Sequence, residues 1–340
     1  MSLSNAIRER DVAQLPSKRD EDWRWTDLRG LLRTLPEPSD PLDVSSTGPF
    51  DLIADVTHLV ANGSGAAPIE VAPGQTSRIG LRFIASGVGS HAATTRITVG
   101  ADARLVILET YESNAGSVSQ TSISISLGEG ASVERIVLCE DDDEAISVSL
   151  AEVALGARSS FHQTLVSSGA RRQRLETRVL HPGAKAELRL DGVYLISAKR
   201  HGDQTSVVTH AGPDGVTTQL TKGVVQDQAR GIFQGKIVVE EGADRTDARM
   251  GHHALILSDR AEVDAKPELE IYADDVACAH GNTVGALDEN AMFYARQRGM
   301  SQMQAQALLT EAFIGEVVER IGDEAAREVI QAWVTERLRT

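Results

Sequence analysis

The chain has 340 residues, 41% of them hydrophobic but only 4% aromatic, so its core is built mainly from Val, Ile, Leu and Ala. A net charge of −15 repels phosphate backbones and anionic lipid, which disfavours nucleic-acid and membrane-surface partners. Two cysteines, Cys139 and Cys278, make no disulfide framework.

The N-terminal stretch MSLSNAIRERDVAQL has no apolar leader segment, and no stretch approaches the roughly 20 apolar residues of a membrane helix. The expectation is a soluble, cytoplasmic protein. Residues 1 to about 35 read as helical. Leu3, Ala6, Ile7 and Leu15 are loosely spaced, Pro16 interrupts, and a second segment carries Trp23, Trp25, Leu28, Leu31 and Leu32. Pro36 to Gly48 is a breaker-rich linker, so residues 1–48 form an N-terminal helical segment plus linker.

Over residues 49–285 the apolar pattern changes to period two. Ile123, Ile125 and Leu127 alternate with Ser122, Ser124 and Ser126; Ile146, Val148 and Leu150 alternate with Ser147 and Ser149. These are half-buried strands with no long amphipathic helix between them. A Gly-Ala turn recurs at Gly100, Gly130, Gly156, Gly183 and Gly242, the first four at steps of 30, 26 and 27 residues. Recurring turns between short strands are the signature of a solenoid, in which each coil buries its apolar face only against its neighbours. The pattern favours a mainly β fold with a parallel β-helix core; a β-sandwich is the alternative.

Residues 286–340 turn helical. Asp288 is placed to cap a helix that Gly299 stops, and Ser301 with Gln304 forms a capping-box pattern. Ala305, Leu308, Leu309, Ala312, Phe313 and Val317 follow at helical steps, and after Asp323 so do Val329, Ile330, Trp333, Val334 and Leu338. Such stripes pack on the chain's own core or on a partner.

Chemistry concentrates at Cys278 and His280. On a strand, residues two apart share a face, and thiolate with imidazole suits iron, zinc or copper. His252 lies 28 residues before His280, about one coil, which would stack His252 or His253 beside that strand at ~5 Å. Cys278 as a small buried hydrophobe is the plain alternative. Two cysteines are too few for a resident cluster, which takes four ligands, mostly thiolates. GxxxxGK[ST], GxSxG and HExxH patterns are absent, so no catalytic residue is expected and the chain is not read as an enzyme.

Three blocks resemble the SufB/SufD family of iron–sulfur cluster assembly proteins. They are PSKRDEDWRWTDLR (Pro16 to Arg29); the stretch from Asp203 to Ile271 that includes DQTSVVTH, FQGKI and HALILSDRAEVDAKPELEI; and CAHGNTVGALDENAMFYARQRG (Cys278 to Gly299), continuing through AFIGEVVERI. Residues 50 to about 200 match only in general character. The N-terminal Trp block and the modest length bring the chain nearer the SufD branch. A cluster-ligand Cys of SufB falls on His252 here, and a SufB Glu falls on Gly281. His280 matches the SufD histidine implicated in cluster formation at the SufB–SufD interface, and Cys278 the Cys that accompanies it.

The resemblance implies a β-helix flanked by terminal helices, acting as a non-ATPase subunit of a SufB–SufC–SufD complex. His280 and Cys278, with His252 nearby, would then touch a transient cluster or iron shared with SufB, with none held stably by this chain alone. SufC, an ABC-type ATPase, would bind the C-terminal helices, with Phe313, Ile314 and Val317 as anchors. A cysteine desulfurase would supply sulfur indirectly, and the isolated chain could form a homodimer. The rival readings are a β-helix enzyme acting on acidic polysaccharide and a structural solenoid that self-associates.

Overall fold

The computed structural model describes residues 3–114 and 116–339. Seventeen strands, β1 (Val56–Ala61) to β17 (Ala277–Gly285), occupy the middle of the chain. Alternate strands build two sheets: the odd ones, in chain order, form a nine-stranded sheet from β1 to β17, and the even ones between them form an eight-stranded sheet. Pairing between the strands of each sheet is parallel throughout. The chain crosses from one sheet to the other at every turn, so each coil contributes one strand to each. This is the expected solenoid, flattened into two facing sheets.

Alternation explains the packing. Inward residues such as Ile107, Val133, Phe161, Leu188, Ile125 and Val153 meet between the sheets as one continuous apolar core. The Gly-Ala turns stack along one edge, joined by main-chain bonds from Gly130 N–H to Ala157 C=O (2.9 Å) and from Ala184 N–H to Pro213 C=O (2.7 Å). These turns need left-handed backbone, which Gly130 adopts at a φ of 68° without Cβ strain.

The coil is not of constant length. Ser132 and Ser160 occupy equivalent places 28 residues apart, Asp214 and Arg245 31 apart, and His252 and Asn282 30 apart. The added residues lie in the connections, so strand pairing continues unbroken.

Helices cover the odd-numbered sheet. α3 (Gln302–Val318) and α4 (Glu324–Arg337) bury Ile314, Val317, Ile330 and Val334 against outward residues Leu108, Ile136, Val166 and Val193. The Ser301/Gln304 capping box forms, and Asp323 accepts from Ala326 N–H to start α4. α2 (Glu289–Gln297), capped by Asp288, buries only Ala295.

The N-terminal segment differs from the sequence reading. Only α1 (Leu3–Glu9) is α-helix; beyond it are single 3-10 turns at Val12–Gln14 and Glu21–Trp23. Left-handed backbone at Arg10 (φ 56°) ends α1 well before Pro16, and Asp20 accepts from Ser17 N–H in a local turn. Leu3, Leu15 and Leu28 are buried against Val118, Ile146 and Val148 of the even-numbered sheet.

Candidate functional site

The solenoid ends openly. β16 (Glu262–Ile271) and β17 are the last strands of their sheets, and eight of the nine β17 residues are solvent-exposed. Their outer edges leave main-chain N–H and C=O groups unpaired by any strand among the described residues.

Cys278 and His280 lie on this last strand. Cys278 pairs with Ala248 of β15 (Asp247–Ile256), and His280 with Met250. Ala248 and Met250 are core residues, so Cys278 and His280 share the inward-facing side of the strand. Cys278 is half-buried against that core, and burial raises its thiol pKa above the ordinary value. His280 is exposed.

His252 is not beside His280. The coil here is 30 residues long, so His252 pairs with Asn282, and His280 sits one inward position away along the strand. His252 is fully buried and stacks on Phe233, with ring centroids 4.6 Å apart. Nε2 lies 2.8 Å from Tyr194 Oη and Nδ1 lies 2.7 Å from Asn282 Oδ1. Burial holds its pKa down to about 4, so the ring is neutral at physiological pH. With both nitrogens engaged, His252 is a buried structural histidine in this state rather than an open ligand. His253 faces the other way and contacts Thr283 Oγ1 at 2.7 Å. Among the described residues no group of three His, Cys, Asp or Glu side chains converges to hold a metal ion. What the end coil offers is therefore an incomplete ligand set, one exposed imidazole with a half-buried thiol.

The helical anchors also need correction. Ile314 and Val317 have no solvent exposure; both are spent on the chain's own core, since the α3 stripe faces the sheet. Phe313 is half-buried beneath Lys222, whose Nζ lies 4.5 Å from the ring centroid. The exposed apolar side chains of this region are instead Phe293, Tyr294, Met300, Met303 and Leu308, on α2, the turn after it and the first half of α3.

A buried polar cluster joins the N-terminal segment to the even-numbered sheet. Arg174 pairs with Asp203 and Glu176, at 2.8 and 2.9 Å, and its guanidinium lies 4.4 Å from the Trp23 ring. Thr26 donates to Asp203, and Gln234 donates to it from the next coil. Its residues are bonded to one another. Sequence reasoning missed Tyr194 and Asn282 near the end coil. Counting 30 rather than 28 residues from His252 reaches Asn282; nothing in the sequence marks Tyr194, two coils back.

The comparisons with known proteins agree with this architecture. Residues 83–313, well over half of the chain, match the SufBD core domain of SUF system FeS cluster assembly. The chain belongs to the SufBD family. It is 34% identical over 186 residues to the iron–sulfur cluster assembly protein SufD of Escherichia coli, covering 55% of this chain and 44% of that one. An iron–sulfur cluster assembly SufBD family protein of Synechocystis is 32% identical over 197 residues, covering 58% of this chain and 44% of its own. A SufBD family protein of Mycobacterium bovis is 23% identical over 363 residues, covering 96% and 90%. The matched stretch thus spans less than half the length of the first two relatives. Among the described residues no helix is long and apolar enough to cross a membrane.

Proposed function

We propose that this chain is the SufD-like, non-ATPase subunit of a SufB–SufC–SufD assembly, and that β17 is the face on which a nascent iron–sulfur cluster forms. The observation that carries the reading is the open end coil. It exposes His280, holds Cys278 on the same face, and leaves two sheet edges free to pair with strands of a similar solenoid. One imidazole and one thiol are too few for a cluster, so the remaining ligands would come from the SufB side. No catalytic residue is needed for this role. The chain contributes ligands and a surface, while nucleotide hydrolysis belongs to SufC and sulfur arrives from a cysteine desulfurase.

SufC would dock on the exposed apolar surface of α2 and early α3, with Phe293 and Met303 in place of Ile314 and Val317. Without SufB the same open edge would pair with a second copy of the chain. The test is affinity capture of the tagged chain from its native cell, with iron and sulfide analysis. A SufB-type protein and an ABC-type ATPase should co-purify stoichiometrically. Their absence, with the chain intact, would contradict the proposal.

A further inference from the structure

His252 is fully buried, yet neither of its ring nitrogens is orphaned. Asn282 Oδ1 lies against Nδ1, and an amide oxygen can only accept, so Nδ1 carries the ring proton. A neutral ring then has a lone pair at Nε2, which accepts from the Tyr194 hydroxyl. The line has a fixed direction: Tyr194 O–H to His252, and His252 N–H to Asn282. Phe233, stacked almost parallel to the imidazole at an interplanar angle of 5°, holds the ring in its plane.

The consequence falls at the exposed end of the line. With Oδ1 engaged, the Asn282 amide nitrogen keeps two N–H donors that have no hydrogen-bond partner among the described residues. Asn282 shares its strand face with His280 and Cys278 on the last coil, where no further strand covers it. A reversed amide would present an acceptor there and repel an anion. Tautomer and amide orientation go together: Nδ1–H on His252 matches the Asn282 oxygen turned inward and its N–H groups turned outward.

The geometry points to Asn282 as an N–H donor to the sulfide of a cluster held at His280, with His252 and Tyr194 as the positioning residues that orient its amide. The inference rests on the proposed role of β17 as the cluster-forming face. The chemistry suits the ligand: bridging sulfides are anionic acceptors, and hydrogen bonds to cluster sulfur tune the stability and potential of the cluster.

Two measurements test it. In the full chain labelled with ¹⁵N-histidine, NMR should find His252 protonated at Nδ1 and bare at Nε2; the opposite tautomer would reverse the amide and overturn the inference. In the complex with the SufB-type partner, loaded anaerobically with ferrous iron and sulfide, Asn282→Asp keeps the acceptor for His252 but removes both donors. Bound sulfide should fall about 10-fold or more, the usual effect of removing an outer-shell partner, with the melting temperature unchanged. Asn282→Ala should show the same loss. If His280→Ala loses its sulfide while both Asn282 variants load fully, this inference alone falls. Full loading in all three variants overturns the reading of the site and this inference with it.

Discussion

Thr26 donates its hydroxyl hydrogen to Asp203, a residue 177 positions further along the chain, and neither residue is exposed to solvent. The bond ties the N-terminal Trp block to the strand that opens the DQTSVVTH stretch. Two sequence blocks that mark the family are therefore in contact. Arg174 reinforces the junction, paired with Asp203 on one side and lying under Trp23 on the other.

Removing one partner of a buried ion pair strands the other, which costs about 3–5 kcal/mol. Asp203→Ala should therefore lower stability in urea by about 3 kcal/mol, although Glu176 still contacts Arg174. Thr26→Val removes a single hydrogen-bonding hydroxyl and should cost about 1–3 kcal/mol, because the carboxylate it served stays buried. An Asp203→Ala chain within 1 kcal/mol of the parent would contradict this account of the junction.

The α3 stripe and the exposed apolar surface should separate in mutation. Ile314→Ala opens a cavity in a dry contact and should destabilise by about 2–5 kcal/mol. Met303→Asp lies on an exposed position, 76% accessible, and should leave stability within about 0.5 kcal/mol while weakening SufC capture. Undiminished capture by both Met303→Asp and Phe293→Asp would remove α2 and early α3 as the docking surface.

Acid should weaken the fold already between about pH 6.5 and 5, above the range in which ordinary exposed carboxylates titrate. His181 and His210 stack inside the solenoid with ring centroids 4.3 Å apart, and burial holds their pKa values down to about 4 and about 3. His201 and His252 are likewise held to about 4 by burial. From pH 6.5 down to about 4 the unfolded chain takes up protons that the folded chain refuses. Stability therefore falls with falling pH, by up to about 1.4 kcal/mol per pH unit for each such histidine. Asp191, raised by burial to about 6, acts in the opposite sense between pH 6 and 4, because the folded chain binds its proton first. Four histidines outweigh one carboxyl. Urea midpoints between pH 7 and 5 should decline, and a flat profile would contradict the neutral buried state of these rings.

Much of the fold was legible because strands and turns write themselves locally. The Ser/Ile alternation at residues 122–127 is strand β6 (Val118–Leu127), and the capping residues Asp288, Ser301 and Asp323 start the helices as expected. Two features were not legible. The coil from β15 to β17 is 30 residues long and not 28, which moved the partner of His252 from His280 to Asn282. Nor could periodicity say which side of α3 meets the sheet, since Phe313, Ile314 and Val317 span one arc whose inner part is buried and whose edge is only half-covered.

The stability of the isolated chain toward iron should be as plain as its ligand set. Anaerobic reconstitution of the pure protein should leave no stoichiometric cluster after desalting, because Cys139 is fully buried and Cys278 with His280 supplies only two ligands. A cluster that survives desalting would show that the chain completes a site by itself.

The central claim is that His280 acts at the open end coil as a ligand and not as a structural residue. Its most direct test is His280→Ala in a cell that depends on the Suf system, with cluster maturation and the melting temperature of the purified variant measured together. The side chain is exposed, so melting should stay within about 1 °C of the parent, as expected for a surface substitution. Maturation should fail. Full maturation with unchanged melting would show that His280 is dispensable and would contradict the account.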